Sequence, residues 1–416
     1  MNEEKKETVD VVEKVEDTMK EESTKATTVE RALEEKVKLS IAVIGVGNAG
    51  NQNLNKCKAE GFDVFAINTS MKDLSDSVVS EHIHSFIAGK EARGAGKNRT
   101  LAKKLFKSNG RDLFNNTYFM SMIQKSDVIF VCGSTAGGTG SGIAPTLMNY
   151  LEQAFPSKIF IYYGILPRLT DSVMAQYNTI DCLNEIIENK STYALADLEY
   201  FKNIPNDQAY EQIGNHIVES IKVISGTYLN SSKSGMIDEN DMKTIVGEKG
   251  YISIYSLNKI TQTDVDAESI QSRLIKLINN SPAVMIPRDG IVKEMGVIVN
   301  MPEEMNEASK SGDYTELTNY IGTPLSIFEN YAINNKSVGQ FIVILSGMNL
   351  PYNRILAAKE IITKSEEILK RSKDIDLQQD LDEYKFIGIT SASSRLLEEH
   401  DDDENKRNDL LNSLFD

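Results

Sequence analysis

What this chain has little of narrows it quickly. Its three cysteines, Cys57, Cys132 and Cys182, are scattered through 416 residues. Without paired spacing they suggest neither a disulfide framework nor a thiolate metal site, which fits a reducing compartment. Basic side chains are outnumbered, 45 Lys and Arg against 61 Asp and Glu, for a net charge of -16. Such a chain is repelled by a phosphate-rich surface, so broad nucleic-acid binding is disfavoured. No apolar run approaches the ~20 residues of a membrane-spanning helix. The opening Met1-Asn2-Glu3-Glu4-Lys5-Lys6 has no apolar core of the secretory kind. His82 and His84 share one strand face with no third metal ligand near them, so exposed strand histidines are a simpler reading than a metal site. The expectation is a soluble cytoplasmic protein that contacts neither membrane nor nucleic acid directly.

What is present is an ordinary globular balance, 40% hydrophobic and 25% charged residues, over a length sufficient for two domains and tails. Residues 1–36 are rich in Glu, Lys and Thr and form a charged N-terminal extension, with Val11, Val12, Val15 and Met19 on one weak helical stripe. Order begins with the apolar run Val37 to Ile44. Strands are then expected at Val64–Ile67, Ile83–Ile87, Asp127–Val131, Lys158–Ile165 and Tyr193–Ala196, alternating with helical sequence. That alternation predicts right-handed crossovers and a parallel sheet. A long helix over Gln208–Ser225 follows, with Ile213, Ile217, Ile221 and Ile224 as its stripe, and ends at Gly226.

Residues 227–249 form a loop and short helix. From 250 to 372 the grammar changes to an α+β domain. Its strands are expected at Tyr251–Tyr255, Ile291–Asn300 and Gly339–Ser346, and its helices at Ala267–Asn279 and Asn353–Ser372. Residues 373–416 are an acidic C-terminal tail ending in the apolar cluster Leu410-Leu411-Asn412-Ser413-Leu414-Phe415.

Two glycine-rich segments carry the chemistry. Gly137-Gly138-Thr139-Gly140-Ser141-Gly142 follows a buried strand and opens a helix, an arrangement that cradles phosphate. Glycines let backbone N–H groups approach an anion, Thr139 and Ser141 add hydroxyl donors, and the helix N-terminus contributes its dipole. Gly45-Val46-Gly47-Asn48-Ala49-Gly50 matches the dinucleotide fingerprint, but the next strand ends in Asn68-Thr69-Ser70 with no acid for a ribose. A Walker loop fails too, because Gly96-Lys97 is followed by Asn98. With Gly94-Ala95-Gly96-Lys97 facing the other two, three loops would wrap a triphosphate chain.

Taken together these motifs resemble the tubulin/FtsZ superfamily of GTPases. Ala136 and Gly137 to Gly142 fit the tubulin signature. Ile44 to Asn51 resembles the first nucleotide loop, Ala66-Ile67-Asn68-Thr69 the second and Gly94-Ala95-Gly96 the third. The resemblance spans about 38–350. It implies a tubulin-like parallel-sheet GTPase domain (37–226) joined by the long central helix to the second α+β domain. It also implies GTP or GDP with Mg²⁺ as cofactors, and Asn215 on the central helix as the guanine contact. Met236 to Thr244 resembles the loop whose carboxylates, here Asp238 and Asp241, activate water on a neighbouring subunit.

Departures are Ser70 in place of the family's Asp, Met236 in place of FtsZ's Asn, and Ala194 to Leu198, where Asp197 is the sole stand-in for a base- or ribose-contacting Asn. Leu166-Pro167-Arg168 and Gly347 to Pro351 look most like the TubZ branch of plasmid and phage tubulins. That likeness implies a head-to-tail filament that positions plasmid or phage DNA through a DNA-binding adaptor docking on the tail. The alternatives are an FtsZ-like division protein and a non-polymerising nucleotide-binding regulator. Length agrees with the shared-site idea: ~18 helical residues span roughly 27 Å, so acids beyond the far end of the central helix are remote from the base at its start. The competing reading is that Asp238 and Asp241 merely cap the short helix after them.

Overall fold

A computed structural model of the protein describes residues 38–77, 83–230, 235–283, 291–305 and 313–374. The N-terminal extension, His82 and the tail beyond residue 374 lie outside the described residues.

β1 (Ile41–Val46) is buried along its whole length and sends alternate side chains to two hydrophobic clusters. Ala42, Ile44 and Val46 enter one, Ile41 and Val43 the other. A strand covered on both faces belongs in the middle of a parallel sheet. The chain continues through α1 (Gly47–Asn51), α2 (Leu54–Ala59), β2 (Asp63–Asn68), α3 (Met71–Ser77) and β3 (His84–Ile87). Next come α4 (Arg99–Phe114), α5 (Thr117–Lys125), β4 (Val128–Ser134), α6 (Gly138–Ala154) and β5 (Ile159–Leu166). The domain closes with α7 (Val173–Glu188), β6 (Thr192–Asp197) and the long α8 (Asn206–Ile224).

α9 (Glu239–Gly247) leads into β7 (Gly250–Ile260), α10 (Gln262–Ala267), α11 (Ile270–Asn279) and β8 (Glu294–Pro302). Then follow α12 (Thr315–Ile321), β9 (Ser326–Asn334), β10 (Gly339–Met348) and α13 (Tyr352–Asp374).

One ten-stranded sheet runs β3-β2-β1-β4-β5-β6-β7-β10-β8-β9. β3 to β6 are parallel throughout, β10 is antiparallel to both its neighbours, and the two halves meet where Thr192 and Tyr193 pair with Gly250 and Tyr251. The seam is short because β6 and β7 diverge, and Asp197 N bonds Pro282 O in the gap instead.

In the first half β1 leads to β2 and β3 on one side, while β4 leads to β5 and β6 on the other. The strand order thus reverses between β1 and β4, and loops leaving the carboxyl ends of those two strands flank the crevice where open α/β sheets bind ligands. α8 seals one face with Ile213, Ile217, Ile221 and Ile224, all buried. Its C-terminus closes by Thr227 N to Lys222 O and Gly226 N to Val223 O, with Gly226 at φ 80. A left-handed residue is what that double closure requires, and glycine supplies it.

Local detail differs from the sequence reading in three places. The helix expected from Ala267 begins only at Ile270, because Glu268 is extended (φ -162, ψ 149) and Ser269 caps α11 by accepting from Ser272 N, and the short α10 before it was not expected. β9 was not expected; its edge position leaves Glu329 and Asn330 among its residues, which blurs the alternation. The central helix starts at Asn206, directly after Pro205, two residues before the expected Gln208.

Candidate functional site

β1 and β4 lie side by side with Val46 opposite Gly133, so the chain emerges from both at one edge. Their loops pack backbone against backbone. A Cβ at Gly50 would stand 2.2 Å from Cys132 O, one at Gly45 2.7 Å from Gly50 O, and one at Gly140 2.7 Å from Ser134 O. Gly47 (φ +73) would meet Gly140 N at 3.0 Å. Real Cβ atoms essentially never approach below 3.0 Å, so Gly50 lets the first loop lie on β4, while Gly45 and Gly140 let each loop fold back on itself.

The other loops close on the same edge. Thr69 Oγ1 and Thr139 Oγ1 share a 2.7 Å hydrogen bond, and Gly94 N donates to Thr69 O at 2.8 Å. A Cβ at Gly138 would sit 2.8 Å from Asn98 N, and one at Gly142 2.8 Å from Arg99 O. The segment carrying Gly94, Ala95, Gly96 and Lys97 has positive φ at Ala92, Gly94, Gly96 and Lys97. At Lys97 (φ 62) that conformation is uncommon for a side-chain-bearing residue and is the kind of strain found at ligand clamps. All four expected loops therefore meet, with Asn48 and Ala49 in α1 among them.

Three observations fit an anionic ligand. Gly137 has ordinary extended angles (φ -80, ψ 167) and a Cβ there would meet nothing within 4 Å. Neither conformation nor packing demands glycine at that point; the space beside it is open. Second, Asn51 is fully buried with neither amide atom hydrogen-bonded. Third, Asn68 accepts from Thr69 N and Ser70 N at 2.8 and 3.2 Å while its buried Nδ2 has no partner. Orphaned buried amides are rare enough to imply a missing partner. The hydroxyls are more committed than expected: Ser141 Oγ donates to Gly137 O and Thr139 Oγ1 is engaged with Thr69.

Asp238 and Asp241 lie elsewhere. Asp238 Oδ1 accepts from Asp241 N at 2.8 Å and Asp241 Oδ2 accepts from Asp238 N at 3.1 Å, a capping box that starts α9. The capping expected of these acids is thus real, and it uses one oxygen of each. Lys243 of α9 pairs with Asp127 at 3.0 Å. Partial burial would raise the Asp127 carboxyl, but hydrogen bonds from Ser40 and Lys243 hold it below the ordinary range. Asp127 immediately precedes β4, whereas the glycine loop follows β4. Seven strand residues, about 20 Å, separate the acid-bearing helix from the loops of the same molecule.

Two further expected ligand contacts have protein partners in the structure. Asn215 lies nine residues beyond Asn206 on the central helix, about 14 Å along the axis. There its Oδ1 accepts from Lys56 Nζ of α2 at 2.7 Å. Asp197, the substitute ribose ligand, is engaged twice. It caps Glu199 N at 3.0 Å and pairs with Arg354 of α13 at 2.6 Å, where both side chains are nearly buried. His84 stacks on Tyr118 with centroids 3.8 Å apart. Among the described residues no group of three or more His, Cys, Asp or Glu side chains gathers as a metal site.

Residues 40–206 match the model of the Tubulin/FtsZ family, GTPase domain. That stretch, from β1 to the start of the central helix, is a tubulin/FtsZ-like GTPase domain. It is 25% identical over 334 residues to the tubulin-like protein TubZ of Clostridium botulinum C phage, covering 80% of this chain and 83% of that one. With cell division protein FtsZ 1 of Methanocaldococcus jannaschii it shares 24% over 289 residues, 65% and 72% of the two chains. The fold is similar to that of Clostridium botulinum phage c-st TubZ (TM-score 0.62, 20% identity, 79% and 99% coverage). It is also similar to a GTPγS-form protofilament of Bacillus thuringiensis serovar israelensis TubZ (TM-score 0.67, 14% identity, 82% and 95% coverage).

The likeness to the Tubulin/FtsZ GTPase domain covers the loops that sequence reasoning found. It did not reveal the side chains that brace them. Arg99, 9% exposed, donates to Ser141 O and pairs with Glu185 at 2.9 Å, and Asn178 donates to Lys97 O and Ala136 O. No motif marks either residue.

Proposed function

We propose that this protein binds and hydrolyses GTP and assembles head to tail, with each active site completed by the acids of the next subunit. The observation that carries this reading is that Asp238 and Asp241 start the helix whose Lys243 pairs with Asp127 at the amino end of β4, about 20 Å of strand away from the glycine loops. A general base must come within hydrogen-bond reach of the water it activates, so these acids serve another molecule's nucleotide. Such a contact joins two different edges of identical chains, and a heterologous contact that does not close propagates as a filament. Solved structures of similar fold described as a protofilament and as a two-stranded filament support the same assembly mode.

In this scheme the phosphates lie against Gly137 and the loops around it, with backbone amides and Asn68 Nδ2 donating. Asp238 and Asp241 of the incoming subunit orient or deprotonate water. Mg²⁺ fits as an ion held chiefly by phosphate oxygens and water, since the loops present hydroxyls and amides and Ser70 stands where a carboxylate is usual. It would neutralise charge on the phosphates, with Thr69, Ser70 and Thr139 as the side-chain oxygens at hand. The exposed apolar residues Met71, Leu101 and Met174 follow β2, the third loop and β5 at the nucleotide edge, and exposed Met236 adjoins Asp238 at the other. Such residues suit a contact between the two edges. The likeness to TubZ favours DNA positioning in the cytoplasm through a DNA-binding adaptor, because a net charge of -16 disfavours direct DNA contact.

Light scattering and phosphate release measured together over a range of protein concentrations test the core of this. Specific activity should rise steeply with concentration as polymer forms. Turnover per molecule that stays constant with no scattering would refute it in favour of a non-polymerising regulator.

A further inference from the structure

We propose that Asn178 is a positioning residue for the phosphate chain, resting on the nucleotide reading above. α7 is not one of the expected nucleotide elements, yet it supplies a single buried amide (4% exposed) to two of the loops. Asn178 Nδ2 donates to Lys97 O and to Ala136 O, each at 2.9 Å. One nitrogen thus fixes the two carbonyls within about 6 Å of each other. Both amide protons are used, so the side chain acts as a spacer of defined length.

The residues it grips matter. Lys97 is the strained position at φ 62, and a conformation of that kind persists only where surrounding contacts over-determine it. Each gripped residue neighbours a glycine whose Cβ would meet nothing within 4 Å, Gly96 beside Lys97 and Gly137 beside Ala136. Asn178 therefore sets the separation of the two walls of the open space. A second brace from the same helix works in parallel. Arg99, which follows the third loop, donates to Ser141 O while Asp181 and Glu185 of α7 hold its guanidinium at 3.4 and 2.9 Å. α7 thus registers the third loop against the first turn of α6.

The test uses the full chain with Asn178→Asp, which keeps size and shape but replaces the two donated bonds with acceptor facing acceptor, and Asn178→Ala as a second variant. GTP and inorganic triphosphate are the probes, the latter because it contacts only the phosphate loops. Affinity for both should fall together by about tenfold or more, the equivalent of losing at least one hydrogen bond's worth of organisation. Asn178→Asp should lower the melting temperature of the nucleotide-free protein, since its buried carboxylate faces two carbonyl oxygens, so affinities are read well below that melt. A residue that only filled space would leave triphosphate affinity unchanged in that variant, and this result would overturn the proposal. Should Asn178→Asp fail to fold, wild-type affinity in Asn178→Ala has the same force. Failure of the wild-type protein to bind either probe would instead refute the nucleotide reading itself.

Discussion

Gly137 offers the sharpest separation of ligand from fold. In most of the loop glycine is demanded by packing, as at Gly138, where a Cβ would come 2.8 Å from Asn98 N. At Gly137 backbone angles are ordinary and the space beside the Cα is open. Replacing it by Ala removes freedom from the unfolded chain, worth about 0.4–1 kcal/mol, but Ala caps a helix less well than Gly, so the nucleotide-free protein should melt close to wild type. Replacing it by Asp should do no worse, since Gly137 is the N-cap of α6 and Asp caps at least as well as Gly.

Nucleotide binding should move the other way. A carboxylate about 5 Å from a phosphate charge at an effective dielectric near 20 is opposed by about 3 kcal/mol, roughly two-hundredfold in affinity. The assay is a thermal melt of the nucleotide-free protein beside titration with a fluorescent GTP analogue. Gly137→Asp should melt at or slightly above wild type, yet show no upward shift with GTP at concentrations that saturate wild type. Wild-type affinity in that variant would place the phosphates elsewhere, and a melting point well below wild type in Gly137→Ala would show that the space is not open. Gly138→Ala, by contrast, should lower the melting point before any ligand is added.

Other outcomes follow from the same geometry. Asp238→Asn with Asp241→Asn keeps a capping side chain at α9, so assembly should persist while hydrolysis falls at least a hundredfold; mixed with Gly137→Asp it should show more turnover than either alone, and normal turnover in the double variant would remove these acids from the chemistry. Arg354→Ala strands Asp197 in a site where both side chains are nearly buried, 11% and 13% exposed, and should cost about 3 kcal/mol of stability, read as a lowered melting point, with Asp197→Asn restoring part of it. Burial pushes His216 down to about 4 from an ordinary 6.5. The unfolded chain therefore takes up that proton first, and stability should fall as pH drops from 6.5 to 4, by up to about 3 kcal/mol, then level off. Melts of His216→Gln over this range should be flatter, and an unchanged slope would refute the assignment.

The sequence by itself determined which loops gather at one edge of the sheet and which strands carry them. Alternating strand and helix patterns, glycines at the ends of β1 and β4, and the isoleucine stripe of α8 are local signals. They depend on periodicities of two and 3.6 residues and on backbone angles only glycine tolerates. Where polar residues broke the period, as in β9, or a cap interrupted it, as at Ser269, the signal failed. Tertiary structure decided what those elements face. Asn215 sits on the expected helix, and the packing of α2 against that helix brings Lys56 to its side chain. Asp197 was claimed by Arg354 from a helix more than 150 residues away in sequence. Asn178 carries no local mark, because its role exists only once α7 packs across two loops far from it in the chain. Burial patterns report how a residue meets its neighbours along the backbone. A hydrogen bond between distant segments depends on the path of the whole chain, which no window of sequence contains.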